Sequence, residues 1–207
     1  MRKQAKTHVE KTDDLGRPAI LVQALRELLR TESPESITYA KVCERAGIPR
    51  ASAYHFFPNL GALYLGLRLV HSELVQERLT KVDTTVFGSW QEYVHCLAKE
   101  AAAVVREDPA LVRVVYGVRN EETMYIGKAL DEKIATLALS QVAERFVLPD
   151  WPEAARKVGI AVSIIDSVFR FSFREGGEIT EEMVREAGRA AVAYLRSYLP
   201  EYLKDRK

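Results

Sequence analysis

Apolar residues recur at helical spacing along most of the chain. Leu21, Val22, Ala24, Leu25, Leu28 and Leu29 form one stripe, which predicts a helix over Arg17–Glu32 with Pro18 in its first turn. Leu60, Leu63, Tyr64, Leu67, Val70, His71, Leu74 and Leu79 form a longer one, running to about Val82. Trp90–Asp108, Pro109–Val118, Glu121–Val147, Glu153–Arg174 and Thr180–Leu199 read as five more helices. Ser33-Pro34-Glu35-Ser36, Asp83–Ser89, Pro149-Asp150-Trp151-Pro152 and Glu175-Gly176-Gly177 break the pattern between them. There is no Asn-Gly hairpin and no useful run of alternation. The expected fold class is all-α, with about nine helices in total.

The remaining two helices are short and fall in Thr38–Phe57. Thr38 is a good N-cap, because its hydroxyl can accept an orphan backbone N–H. Ala40, Val42, Cys43 and Ala46 then give a small apolar face. Gly47 stands where a helix end needs a left-handed residue, and Ile48 can turn back into the core. Pro49 lacks an N–H and belongs at the start of a second helix, Arg50–Phe57. Two helices about a tight glycine turn form a helix-turn-helix, whose second helix enters the DNA major groove.

Composition narrows the setting. The chain has 207 residues, 47% hydrophobic and 29% charged, ordinary for a globular protein with ample core. No apolar run approaches the roughly 20 residues of a membrane span, and Met1–Thr12 lacks the apolar centre of a signal peptide. Cys43 and Cys96 have apolar neighbours on different helices, which suits buried reduced thiols and a cytoplasmic protein. Residues 1–60 carry ten Lys/Arg against seven Asp/Glu, and the rest twenty against twenty-two. This mild asymmetry points to nucleic acid in the same direction as the motif. Arg2, Lys3, Lys6 and Lys11 make residues 1–16 a basic arm, either a solvated tail or one that touches DNA.

Catalytic signatures are absent from the sequence. There is no G-x-S-x-G, G-x-G-x-x-G, P-loop or H-E-x-x-H, and the four histidines share no metal-ligand spacing with cysteine or acid. No enzyme activity, metal or cofactor is expected. Asp166 and Arg170 form an i,i+4 pair, read either as a surface ion pair or as part of a pocket or interface.

The residues Thr38, Val42, Cys43, Ala46, Gly47, Ile48, Pro49, Ala53, Tyr54, His55, Phe56, Phe57 and Leu63 resemble the DNA-binding region of TetR-type transcriptional regulators. The resemblance covers about residues 17 to 70. Ser33 stands where the family usually has glycine, Pro49 where it has serine and Ala53 where it has a larger apolar residue. Leu60 stands where the family often has a phosphate-holding lysine. The resemblance implies a flexible arm over 1–16, a helix-turn-helix DNA-binding domain over 17–62 and a helical effector-binding and dimerisation domain over 63–207.

It also implies a site. Arg50 can present its fork to guanine O6 and N7, or to a phosphate. Ala51 and Ser52 share its helix, and Ser52 can bond a base edge or a phosphate. Tyr54 and His55 stand at family positions that contact the backbone. Thr38 and Tyr39 can reach phosphates through hydroxyl and backbone N–H groups. Phe56 and Phe57 read as core.

The second domain offers Trp90, Tyr93, Tyr116, Tyr125, Asp166, Phe169 and Arg170 as a candidate effector pocket, whose aromatic wall suits a hydrophobic or aromatic small molecule. On a helical wheel the apolar residues of Thr180–Leu199 fill roughly 200°, more than one core contact needs. This predicts a homodimer through Val162, Ile165, Phe169, Ala187, Ala191, Tyr194, Leu195 and Tyr198.

The expected function is a sequence-specific DNA-binding transcriptional regulator, a repressor released from a pseudo-palindromic double-stranded DNA operator by a small-molecule effector. Two other classes stay open. One is a DNA-binding protein of the same fold governed by protein partners; the other is a helical enzyme or carrier.

Overall fold

The computed structural model describes residues 16–118 and 121–206, without side chains for 121–130. The N-terminal head begins with α1, Arg17–Thr31, which buries Leu21, Val22, Ala24, Leu25 and Leu29. A single 3-10 turn, Pro34–Ser36, leads out of it. Helix α2 spans Tyr39–Ala46, and the Thr38 hydroxyl accepts the Lys41 N–H at 3.3 Å. A cap of this kind contributes about 1 kcal/mol. Gly47 ends α2 at φ 65°, and the Ile48 N–H bonds back to the Cys43 carbonyl at 3.0 Å. That left-handed residue turns Ile48 into the core, where it is buried.

Helix α3 is regular only over Arg50–Ala53, with the Pro49 carbonyl accepting the Ser52 and Ala53 N–H groups. Phe56 and Phe57 then close a turn on the Ala53 carbonyl. It is shorter than the expected Arg50–Phe57 because Phe57 precedes Pro58, whose ring disfavours helical backbone at that position.

Helix α4, Leu60–Thr80, is capped by Asn59, whose Oδ1 accepts the Ala62 N–H at 2.7 Å. At 1.5 Å per residue it is about 30 Å long, and it packs on α1 at one end. Gly66 makes this approach possible, since a Cβ there would lie 2.8 Å from Val22 Cγ2 and 3.3 Å from Phe57 Cε1.

The body comprises α5 (Trp90–Glu107), α6 (Pro109–Val112), α7 (Glu121–Arg145), α8 (Ala154–Gly176) and α9 (Glu181–Leu195). Ser89, Asp108 and Thr180 cap α5, α6 and α9 with side-chain oxygens. The expected sixth helix, Pro109–Val118, changes character midway. After Val112 it widens into a π-helical turn, Arg113–Gly117, closed by the Val118 N–H on the Arg113 carbonyl at 3.1 Å. The fold is all-α apart from one two-residue antiparallel pairing, β1 (Phe146–Val147) with β2 (Lys204–Asp205). Two residues are too few for alternation to reveal in sequence. The same C-terminal segment offers the Pro200 carbonyl to Trp90 Nε1–H at 2.9 Å, tying it to the start of α5.

Candidate nucleic-acid interface and effector site

Helix α3 projects from the head with Arg50, Ala51, Tyr54 and His55 exposed, Ser52 half-buried and Ala53 buried beneath them. Other cations nearby are already committed. Lys41 pairs with Glu32 at 2.9 Å and Arg45 with Glu27 at 2.7 Å, both acids lying on or just past α1. Arg50 makes no ion pair among the described residues, so its guanidinium is uncommitted on the exposed face of α3.

Two expectations about this face change. The Tyr39 hydroxyl donates to the Phe57 carbonyl at 2.7 Å, so that hydroxyl braces the head and is not available to a phosphate. Burial pushes the Tyr39 phenol up from its ordinary range. Its ring stacks on Tyr54 at 4.8 Å between centroids, which fixes the exposed Tyr54 beside α3. Phe56 is 42% exposed and is not core, because the turn after Ala53 points it outward while Phe57 packs inward against α4. Thr38 is exposed, and because its hydroxyl oxygen only accepts in the α2 cap, its O–H stays free to donate.

Head and body are joined through charge. Asp108 is buried, accepts from Arg26 Nε at 2.5 Å and from Arg30 Nε at 3.3 Å, and caps α6 through the Ala110 N–H at 3.0 Å. Although burial opposes ionisation, the two arginines and the Ala110 N–H hold its carboxyl below the usual carboxylate range. Arg113 Nη1 donates to the carbonyls of Leu29 at 2.5 Å and Glu32 at 3.1 Å. A cation is thus placed on the carbonyl end of α1, where the helix dipole favours it.

Inside the body, α4, the π-helical turn, α7 and α8 bring together Arg68, His71, Tyr116, Asp131, Asp166 and Arg170. Arg170 Nη2 donates to Asp166 Oδ2 at 3.2 Å and its guanidinium lies 5.5 Å from the Tyr116 ring centroid. Arg68 Nη1 donates to the Val115 carbonyl at 3.4 Å. Burial, with Arg68 adding to it, pushes the His71 imidazole down to about 4. Burial first, and then the Asp166 carboxylate, pushes Asp131 up to about 6 and the Tyr116 phenol well above its ordinary value. Arg68, His71 and Asp131 are strongly desolvated yet keep part of their surface accessible.

Apart from this cluster, a space lies between α5, α7, α8 and α9. It is an apolar cavity of about 30 Å³, with Trp90, Tyr93, Leu97, Ala138, Val162 and Ile165 among its walls.

Residues 88–199 match the family model described as "Tetracyclin repressor-like, C-terminal domain". The chain belongs to the TetR family. It is 28% identical over 112 residues to the nucleoid occlusion factor SlmA of Alteromonas mediterranea. That stretch is 53% of this chain and 54% of the relative, so the match spans about half the length of the curated protein. A TetR-family regulator from Streptomyces coelicolor superposes with a TM-score of 0.65 at 24% identity, over 89% of this chain and 100% of that one. Another, from Rhodococcus sp. RHA1, gives a TM-score of 0.67 at 17% identity, over 86% and 95%. Both structures share the fold.

Within this TetR-family body the expected pocket residues separate. Trp90 and Tyr93 face the apolar cavity, and both polar ends are already bonded: Trp90 to Pro200, and the Tyr93 hydroxyl to Gln141 Oε1 at 2.7 Å. Phe169 is buried core. Tyr116, Asp166 and Arg170 meet in the polar cluster. The Tyr125 side chain lies outside the described residues, as do residues 1–15 of the expected basic arm.

Sequence reading missed Arg68 and Asp131 and placed His71 only on the apolar stripe of α4. The available signal was ionisable residues on otherwise apolar faces of α4 and α7. The Asp166–Arg170 pair is part of the interior cluster and not merely a surface ion pair.

The expected dimer residues need correction as well. Val162, Ile165, Phe169, Ala187, Ala191 and Leu195 are buried within the protomer, so a partner cannot reach them. The small residues of α9 receive α5 of the same chain; the His95 imidazole occupies the place a Cβ would take at Gly188. Tyr194 and Tyr198 remain partly or wholly exposed. The unpartnered apolar stripe lies elsewhere, on Ile160, Ile164, Val168 and Phe171 of α8, with Ser163 and Ser167 between them.

Proposed function

We propose that this protein is a dimeric, sequence-specific DNA-binding regulator, a repressor released from a pseudo-palindromic operator by a small molecule bound in its body. The observation that supports this most directly is the exposed α3, with an uncommitted Arg50 and with Tyr54 and His55 beside it. An arginine fork matches the guanine O6 and N7 acceptors of the major groove, and phenol and imidazole donors suit phosphates. Thr38 and the backbone start of α2 supply further donors to the DNA backbone. The polar cluster favours small-molecule control over control by protein partners alone, because it gathers partly accessible charged groups beside the buried Tyr116 within the body.

Two copies meeting through the α8 stripe, with Tyr194 and Tyr198 at its border, would set two α3 helices about one DNA turn or a modest multiple apart. Selection of sites from a random duplex pool by the purified full chain tests the reading. Inverted repeats should emerge, bound more weakly as salt rises. Arg50→Ala should relax preference at one position per half-site, at a cost of about 1–3 kcal/mol for the preferred base. Enriched sites without inverted symmetry would refute the dimeric operator, and absence of any DNA binding at moderate salt would refute the regulator.

A further inference from the structure

One cation of the cluster, Arg68, keeps most of its hydrogen-bond donors unused among the described residues. Arg170 has a carboxylate and an aromatic face. Among the described residues Arg68 makes one hydrogen bond, the long one to the Val115 carbonyl, so most of its five N–H donors are unused although Asp166 and Asp131 act on it through space. Asp131 accepts no hydrogen bond among the described residues, and the charged groups facing it are Arg68 from α4 and Asp166 and Arg170 from α8. His71 on α4 is neutral.

These groups respond unequally to an incoming charge. Arginine cannot give up its proton, whereas an acid already pushed upward can take one. The site can therefore shed a negative charge but not a positive one. A ligand anion could be accommodated by protonating Asp131 and by the unused donors of Arg68; a ligand cation would meet Asp131 and Asp166 but also both arginines, neither of which can discharge.

The helix faces give a direction beyond the cluster. On α7, Asp131 is followed at helical spacing by Ala135, Ala138 and Val142; on α8, Asp166 is preceded by Val162 and Val158. Ala138, Val142, Val158 and Val162 line the apolar cavity. From Asp131 to Ala138 is about 10 Å at 1.5 Å per residue. The cavity holds little more than a water-sized volume, so a chain entering it spreads α7 from α8.

We propose, resting on the effector reading above, that the ligand is an amphipathic organic carboxylate, its head bidentate on Arg68 and its apolar chain directed between α7 and α8 toward Trp90. A planar carboxylate matches the guanidinium fork in two parallel hydrogen bonds. The neutral His71 adds one donor, and protonated Asp131 another.

The test is titration of the full chain with decanoate, decanol and decylamine, followed by calorimetry and melting. Decanoate should bind at least about tenfold more tightly than either analogue. Arg68→Met should abolish that preference while leaving decanol binding unchanged. Asp131→Asn, which removes the competing charge, should bind decanoate at least as tightly as the parent and with less dependence on pH.

The class is wrong if decanol or decylamine matches decanoate, or if no straight-chain carboxylate from acetate to laurate binds. It is also wrong if a folded Arg68→Met retains the preference. Should Arg68→Met fail to fold, Asp131→Asn decides, and weaker decanoate binding there overturns the proposal. Arg68-dependent binding that leaves DNA affinity unchanged would uphold the ligand site and refute its role as the switch.

Discussion

At the scale of single residues, the interior acid has a measurable signature. Asp131 titrates at about 6 in the folded chain, chiefly because it is buried, with Asp166 adding to the effect. In the unfolded chain it returns to about 3.9. Between those values the unfolded chain ionises this carboxyl while the folded one holds its proton. Folded stability therefore falls as pH rises through that window and stays lowered above it. Asp131→Asn should accordingly be more stable than the parent at pH 7, by on the order of 1–2 kcal/mol after allowance for its partial exposure. The difference should shrink to a few tenths of a kcal/mol near pH 4, where the folded carboxyl is neutral and the unfolded one is only about half ionised. Urea unfolding at the two pH values checks this; an equal gain at both would mean that charge is not the cause. Stability given up at a carboxyl that a ligand can neutralise is consistent with a binding role.

At the scale of helices, α8 carries two faces. Val162, Ile165 and Phe169 are sealed inside, while Ile160, Ile164, Val168 and Phe171 form the open stripe. Ile164→Glu should leave the helical content intact, since that side chain does not enter the sealed core, and should give monomers in sedimentation with much weaker operator binding. An unchanged dimer would move the interface off α8. Helix positions and the head were legible in sequence because capping residues, Gly47 and the apolar period act locally. The choice of faces was not. Helices α8 and α9 are apolar over so much of their circumference that a wheel cannot tell which side meets the chain's own α5 and α7. The interior cluster was half legible for the same reason. Asp166 and Arg170 announce themselves by i,i+4 spacing, whereas Arg68 and Asp131 lie far apart in sequence and meet only once α4 and α7 pack.

At the scale of the whole molecule, Asp108 and Arg113 clamp the head to the body at two points on α1. Asp108→Asn removes a buried charge facing Arg26 and Arg30 and should cost about 2 kcal/mol, less than a fully buried pair because both arginines are partly exposed. The loss should appear in thermal melts at neutral pH. Little loss would assign the joint to Arg113 instead. Arg113 opens the π-helical turn and Tyr116 stands near its end, beside Asp166 and Arg170 in the polar cluster. A five-residue hydrogen-bond span holds a surplus residue over an ordinary helical turn. Slack of this kind can be reeled in without lengthening the chain, because Val118 just beyond is already extended. Pulling on Tyr116 would then tug the arginine that grips α1. Hydrogen–deuterium exchange at Val114–Gly117 should change when decanoate binds, and unaltered exchange there would mean that the message travels along α4 alone.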